Sequence, residues 1–437
     1  LPWGTGRNAD PSVCPVPMCP LHPRRPESRI WTVMLLLGTC LLYCARVTVP
    51  ICAVALSTHF SWDKKQSGIV LSSFFWGYCL TQIIGGHISD KIGGEKVLLL
   101  SASAWGFLTV LTPLLTHVTS AHLVFMASSR FLMGLLQGVY FPSLASLLSQ
   151  KVRESERAFT YSTVGTGSQF GTLVIGGAGS LLLDWYGWES VFYFSGLLTL
   201  LWVYCTCKYL LSEKELIIPI DYLMRGLSIS KQSKVPWKQL FKKAPIWAVI
   251  IAQLSTASTF FTLLSWLPTF FKETFPESKG WVFNVVPWLV AIPTSLFSGF
   301  LSDHLINQGY KTITIRKFMQ VIGSGVSSIF ALCLGQTSSF CKAIVFASAS
   351  VGLQTFNHSP LLVGGQDPAP EPLHFSLLFS PAPGVICVYL AGYLIETTGS
   401  WISVFNLVAA VNSIGLCAFL MFGEAQRVDT DSAYMDL

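Results

Sequence analysis

The chain has 437 residues, 51% of them hydrophobic and only 11% charged, with a formal net charge of +6. Soluble domains carry roughly a quarter charged residues, so this composition excludes a water-soluble globular protein. No basic run interleaved with aromatics points to nucleic acid. No metal-ligand spacing, nucleophile–base pair or Gly-xxxx-Gly-Lys-Ser/Thr loop points to an enzyme or a nucleotide-hydrolysing pump.

In chain order, residues 1–29 are polar and proline-rich and read as a disordered tail. Apolar segments of about the length that crosses a bilayer follow near 30–56, 66–88, 97–117, 121–148, 160–183 and 189–211. A polar linker over 212–244 carries Lys214, Arg225, Lys231, Lys234, Lys238, Lys242 and Lys243. A second set lies near 245–271, 282–301, 318–338, 342–359, 373–395 and 402–422, and 423–437 forms a closing tail. The pattern predicts an all-α membrane protein of twelve spans, arranged as a six-helix half (30–211) and a second six-helix half (245–422).

Loop charge orients the bundle. Lys91 and Lys96, then Lys151, Arg153 and Arg157, then the linker, then Lys311, Arg316 and Lys317 all lie in even-to-odd connections. Those connections share one side, and their Lys/Arg excess makes it cytoplasmic together with both termini. The opposite connections carry Trp185, Tyr186, Trp188, Trp281 and Trp401, which read as an interfacial aromatic belt.

An internal repeat supports two related halves. Gly86-His-Ile-Ser-Asp90 ends the second span, and Gly299-Phe-Leu-Ser-Asp303 ends the eighth, the second of its half. The first copy continues to Gly93, Gly94 and Lys96. Its glycines permit a tight turn and close helix approach. Two six-helix halves are the construction of a transporter that rocks about a midplane site.

Two arginines lie inside apolar spans, Arg46 in the first and Arg130 in the fourth. An intramembrane cation marks a functional site by default. The bland readings are snorkelling for Arg46, which lies nearer a span end, and a hydrogen bond to backbone carbonyls for Arg130. No Asp or Glu lies in the interior of any span to pair with them. A buried guanidinium without an acidic partner suits an anionic substrate, carboxylate or phosphate. Each charge carried through 100 mV releases about 2.3 kcal/mol, so a multiply charged anion can be driven by membrane potential alone. Gln137 and Tyr140 are candidate site residues, as well as ordinary candidates for helix–helix hydrogen bonds. The run from Gly165 to Gly171 is read as a close-packing surface of the fifth span.

Two stretches carry a family resemblance. Ser72-Ser-Phe-Phe-Trp-Gly-Tyr-Cys-Leu-Thr-Gln82 with Gly85-Gly86 resembles the second helix of the anion/organic phosphate transporter branch of the major facilitator superfamily. Arg130-Phe-Leu-Met-Gly-Leu-Leu-Gln-Gly-Val-Tyr-Phe-Pro142 resembles its fourth. The stretches Gln150–Tyr161, Ser265–Phe271 and Gly280–Trp288 are similar to nucleotide-importing members of that branch. The resemblance implies a major facilitator fold and import of ATP, ADP and GTP into secretory vesicles and lysosomes by alternating access. It further implies a potential supplied by a vesicular proton pump, chloride as an activating ion and no other cofactor. It makes Arg130 the principal substrate-anion residue with Arg46 assisting. It makes Gly86, Asp90, Gly93, Gly94 and Lys96 a gating motif, echoed by Gly299 and Asp303. Glutamate-carrying relatives have Glu where this chain has Gln137 and His where it has Leu71, which favours nucleotide over glutamate.

One stretch departs from the family pattern. Pro360, Pro368, Pro370, Pro372, Pro381 and Pro383 crowd residues 360–384 and leave about 385–395 as the apolar run of the eleventh span. The alternatives are therefore transport of another organic anion (sialic acid, glutamate or phosphate) and a non-transporting isoform with an impaired eleventh helix.

Overall fold

Inside a bilayer the backbone must satisfy its own hydrogen bonds, so each apolar stretch winds into a helix. The computed structural model describes residues 26–116, 121–152, 154–210, 244–357 and 382–423. The linker prediction for 212–244 and most of the proline-rich stretch lie outside these residues. The first half contains α1 (Pro26–Phe60), α2 (Lys64–Ile92), α3 (Gly94–Thr116) and α4, which has two segments, His122–Gly138 and Tyr140–Lys151. Then come α5, assembled from Glu154–Gly165, Gly167–Val174, a π-turn Ile175–Gly179 and Ser180–Tyr186, and α6 (Trp188–Leu210). The second half holds α7 (Ala244–Thr274), α8 (Gly280–Asn307) and α9 (Thr312–Gln320, a π-turn Val321–Val326 and Ser327–Gln336). It continues with α10 (Phe340–Gln354 with a 3-10 turn Thr355–Asn357), α11 (Ala382–Thr398) and α12 (Ile402–Phe422).

Eight of these, α1, α3, α4, α6, α7, α8, α9 and α12, are each long and apolar enough to cross a membrane, and α2 is a ninth when its two arms are taken together. Its arms, Lys64–Gln82 and Ile84–Ile92, meet at 50° beside Gly85-Gly86, a glycine pair of the kind that kinks helices. Among the described residues, the short links force neighbours antiparallel within α1–α6 and within α7–α10. One end of the bundle therefore carries the Lys/Arg-rich connections (the basic end) and the other the tryptophan-bearing ones (the aromatic end).

Glycine sets the tightest crossings. A Cβ on Gly77 would run into the carbonyl of Phe131, and one on Gly134 into the carbonyl of Phe74, so α2 and α4 touch backbone to backbone. Gly167 and Gly171 bring α5 against the carbonyls of Leu36 and Cys40 on α1 in the same way. The expected packing role of the Gly165–Gly171 run thus belongs to these two residues, whereas Gly165 itself has open space.

Two sequence expectations need correction. The eleventh helix runs beyond 385–395: its described part covers Ala382–Thr398, with Pro383 and Glu396 inside it, and that part is shorter than the eight helices long enough to cross. Its packing is secure, with Trp266 Nε1 of α7 donating to Val388 O at 2.9 Å. Trp188 is not part of an exposed belt. It is 4% exposed and packs against Phe192 and Phe60, whereas Trp185 is 70% exposed. Trp188 opens α6, and its ring turns inward over the end of α1.

Candidate functional site: a buried arginine pair between three helices

The α2–α4 crossing holds the site. Because Gly77 and Gly134 let the two backbones meet, Phe74 on α2 sits directly beside Arg130 on α4. Arg46 enters from α1. Both arginines are buried, at 3% and 4% exposure, so Arg46 does not snorkel to a membrane surface. Arg130 Nη2 donates to the backbone carbonyl of Arg46 at 3.1 Å. Arg46 Nε donates to Gln137 Oε1 at 3.3 Å, and Gln137 Nε2 donates to Leu42 O at 3.3 Å. Gln137 lies seven residues beyond Arg130, about two turns along α4.

Aromatic faces complete the enclosure. The Arg46 guanidinium lies 4.7 Å from the Tyr43 ring centroid, 4.9 Å from Phe74 and 4.7 Å from Tyr78. Arg130 lies 5.0 Å from the same Phe74 ring, so one phenylalanine serves both cations. Such contacts contribute roughly 0.5–2 kcal/mol each, the larger values applying when the cation is desolvated. They soften the cost of burial without neutralising charge. Among the described residues neither arginine makes an ion pair; every hydrogen bond found to them is to a neutral acceptor. Arg46 Nη2 and Arg130 Nε are buried without any acceptor. A site with two positive charges and idle N–H donors can hold an anion by charge-assisted hydrogen bonds.

The structure therefore brings together Arg46, Arg130 and Gln137, but not Tyr140. The Tyr140 hydroxyl lies 3.2 Å from both Leu35 O and Thr39 Oγ1, and its ring lies against Trp105. That places it about two turns of α1 from Arg46. Sequence reasoning missed Tyr43, Phe74 and Tyr78. The available signal was spacing: Tyr43 is three residues before Arg46, and Phe74 and Tyr78 are an i,i+4 aromatic pair on the helix that Gly77 opens to α4.

The Gly-xxx-Asp loop lies near the basic end. Gly93 ends α2 with a φ of +105°, its N–H donating to Ser89 O at 3.0 Å. Gly94 fits against the carbonyl of Ser143 in the second segment of α4, Gly86 faces Pro142, and Ser89 Oγ lies 2.6 Å from Ser143 Oγ. Asp90 is exposed and Lys96 half-buried. In the second half Gly299 has no atom within 4 Å of the place where a side chain would start, and the Asp303 side chain is outside the described set.

Gln137→Leu is expected to leave Arg46 Nε unpartnered, at about 1–3 kcal/mol for the orphaned buried group. Uptake by the reconstituted variant should fall roughly tenfold, with the protein still monodisperse on gel filtration, since each 1.4 kcal/mol is tenfold.

Comparison with known proteins agrees with this architecture. Residues 35–374 match the family model of the Major Facilitator Superfamily. The chain is 66% identical over 419 residues to the Homo sapiens voltage-gated purine nucleotide uniporter SLC17A9, covering 94% of this chain and 96% of that protein. It is 67% identical to the Rattus norvegicus protein of the same name, covering 94% and 93%, and 30% identical to the chloroplastic ascorbate transporter of Arabidopsis thaliana, covering 92% and 76%. In fold it is similar to a bacterial homolog of the human lysosomal transporter Spinster, solved inward-facing and unoccupied. The TM-score is 0.65 at 14% identity, covering 92% of this chain and 99% of that one. The all-helical bundle of the described residues, the buried cationic pair and these similarities together place the chain in the major facilitator superfamily, as a transporter of its anion/organic phosphate branch.

Proposed function

We propose that the chain carries anionic purine nucleotides (ATP, ADP and GTP) across the membrane by alternating access, with membrane potential as the driving force. The observation that supports this reading most directly is the arginine pair, buried with unpartnered N–H groups and no ion pair among the described residues. Arg130 is the principal phosphate contact, and Arg46, held by Gln137, assists. High identity to purine nucleotide uniporters supports a nucleotide over another organic anion. With no interior carboxylate to shuttle protons, the substrate's own charge couples it to the field. Three or four negative charges moving through 100 mV release roughly 7–9 kcal/mol.

In this reading the basic end and both termini face the cytoplasm, and the chain fills secretory vesicles or lysosomes, driven by a lumen-positive potential set by a vesicular proton pump. The loop from Gly86 to Lys96, with Gly299 and Asp303, gates the cytoplasmic side. Chloride is an activating ion, so replacing it by gluconate should lower the rate. Uptake of radiolabelled ATP, glutamate and inorganic phosphate by the purified chain in liposomes tests the substrate class. Saturable ATP uptake, competed by ADP and GTP, is the expected result. Glutamate or phosphate uptake faster than that of ATP would overturn it.

A further inference from the structure

A charged cluster that the anion site does not use lies at the aromatic end, where the two halves meet. Lys64 is the first residue of α2, behind the capping residue Asp63. Its ammonium pairs with Glu273 at the end of α7. Its backbone N–H donates at 2.9 Å to Glu396 Oε2, near the end of α11. One residue of the first half is thus held by two carboxylates from two helices of the second. The N-terminus of α2 carries the positive end of its helix dipole and is capped by Asp63, and Glu396 brings a second carboxylate to it across the seam.

The seam beneath this cluster is closed along its length. A Cβ on Gly392 would lie 2.6 Å from the carbonyl of Lys64, and one on Gly68 would lie 3.4 Å from that of Tyr389. Deeper in, the Phe75 and Phe261 rings meet at 4.6 Å, and Gly384 of α11 fits against both. Phe75 is the residue after Phe74, the ring shared by the two arginines, so the closure extends from the aromatic end to the anion site. Across the α5–α8 contact, Asn284 Nδ2 donates to Ser180 Oγ at 2.9 Å, again toward the aromatic end. At the basic end, Gly165 of α5 and Gly299 of α8 have no neighbouring atom within 4 Å of a built Cβ.

We propose that Lys64, Glu273 and Glu396 form an ionic latch that holds the transport path shut on its aromatic side, and that opening to that side requires the three groups to part. The side chains of Lys64 and Glu273 are 22% and 30% exposed, so water screens the pair and the latch biases the equilibrium rather than locking it. The inference goes beyond the nucleotide reading; only the identification of the aromatic side with a vesicle lumen rests on it.

Hydrogen–deuterium exchange of the full-length purified chain, with no nucleotide present, tests the latch independently of substrate. In Lys64→Gln and in Glu273→Gln/Glu396→Gln, exchange should quicken at least twofold in peptides covering 60–70 and 390–398. It should slow in peptides covering 85–96 and 299–310, as the basic end closes. Lys64→Arg, which keeps the charge and the backbone N–H, should exchange like the parent chain. Unchanged exchange in the neutralised variants would overturn the proposal. So would faster exchange at both ends, which signals general loosening, or a Lys64→Arg profile matching Lys64→Gln.

Discussion

Replacing Arg130 with alanine should reduce nucleotide uptake by at least about a hundredfold while leaving the protein folded and monodisperse. Truncating one partner of a buried charge-assisted contact costs roughly 2–5 kcal/mol, and each 1.4 kcal/mol is tenfold. Arg130 also donates to the backbone carbonyl of Arg46, so its loss removes a tie between α4 and α1 together with the guanidinium. Arg130→Lys keeps the charge but loses the planar fork, and it should recover only a small part of the rate. Gel filtration and thermal melting of each variant separate a lost contact from lost structure. Full uptake by Arg130→Ala would remove this residue from the substrate path.

The second large effect concerns a residue that never touches substrate. Gly134→Val should prevent recovery of a stable, monodisperse protein, and Gly134→Ala should lower its melting temperature and its uptake together. Overpacking usually costs about 1–3 kcal/mol, because neighbouring side chains give way. Here the obstacle is the backbone carbonyl of Phe74, with the reciprocal contact of Gly77 on Phe131 just across the crossing. Relief requires α2 and α4 to separate, which moves Phe74 away from both guanidinium groups. Gly165→Ala is the matched control: a Cβ there meets nothing within 4 Å, so stability and uptake should stay near the parent values. A Gly134→Ala variant as stable and active as that control would show that the crossing is not what builds the site.

Much of the fold was legible because membrane constraints write directly into sequence. Apolar length sets the helices, and basic residues at the even-to-odd connections set their alternation. Helices α5, α10 and α11, which fall outside the eight spans found among the described residues, are still visible in the sequence as apolar stretches. The interruptions are not. The π-turn at Ile175–Gly179 and the bend of α2 depend on how glycines are packed by neighbours, and hydropathy carries no such information. Pro383 is helical in the structure although proline weighs against a helix in the sequence, because tertiary packing of α11 against α2 and α7 outweighs that local preference.

The site was half legible for the same reason. Two arginines without an interior acid stood out on composition, and the structure brings them together with Gln137. Tyr43, Phe74 and Tyr78 did not stand out, because in a chain with 13% aromatic residues a ring facing a guanidinium looks like one facing lipid. Tyr140 drew attention as a polar residue in an apolar helix, and the hydrogen bonds of its hydroxyl toward Leu35 and Thr39 lie away from the pair. Trp188 shows the converse error, an end-of-helix tryptophan assigned to the membrane surface that packs into the core.

The central claim is that a multiply charged nucleotide is carried by the field through its contact with a buried cationic pair. Its most direct test is ATP uptake into liposomes holding the purified chain, measured against an imposed potassium diffusion potential. Uptake should rise steeply as the interior is made positive, persist without any proton gradient, and vanish in Arg130→Ala at every voltage. Uptake that ignores the potential and follows a proton gradient instead would contradict the account.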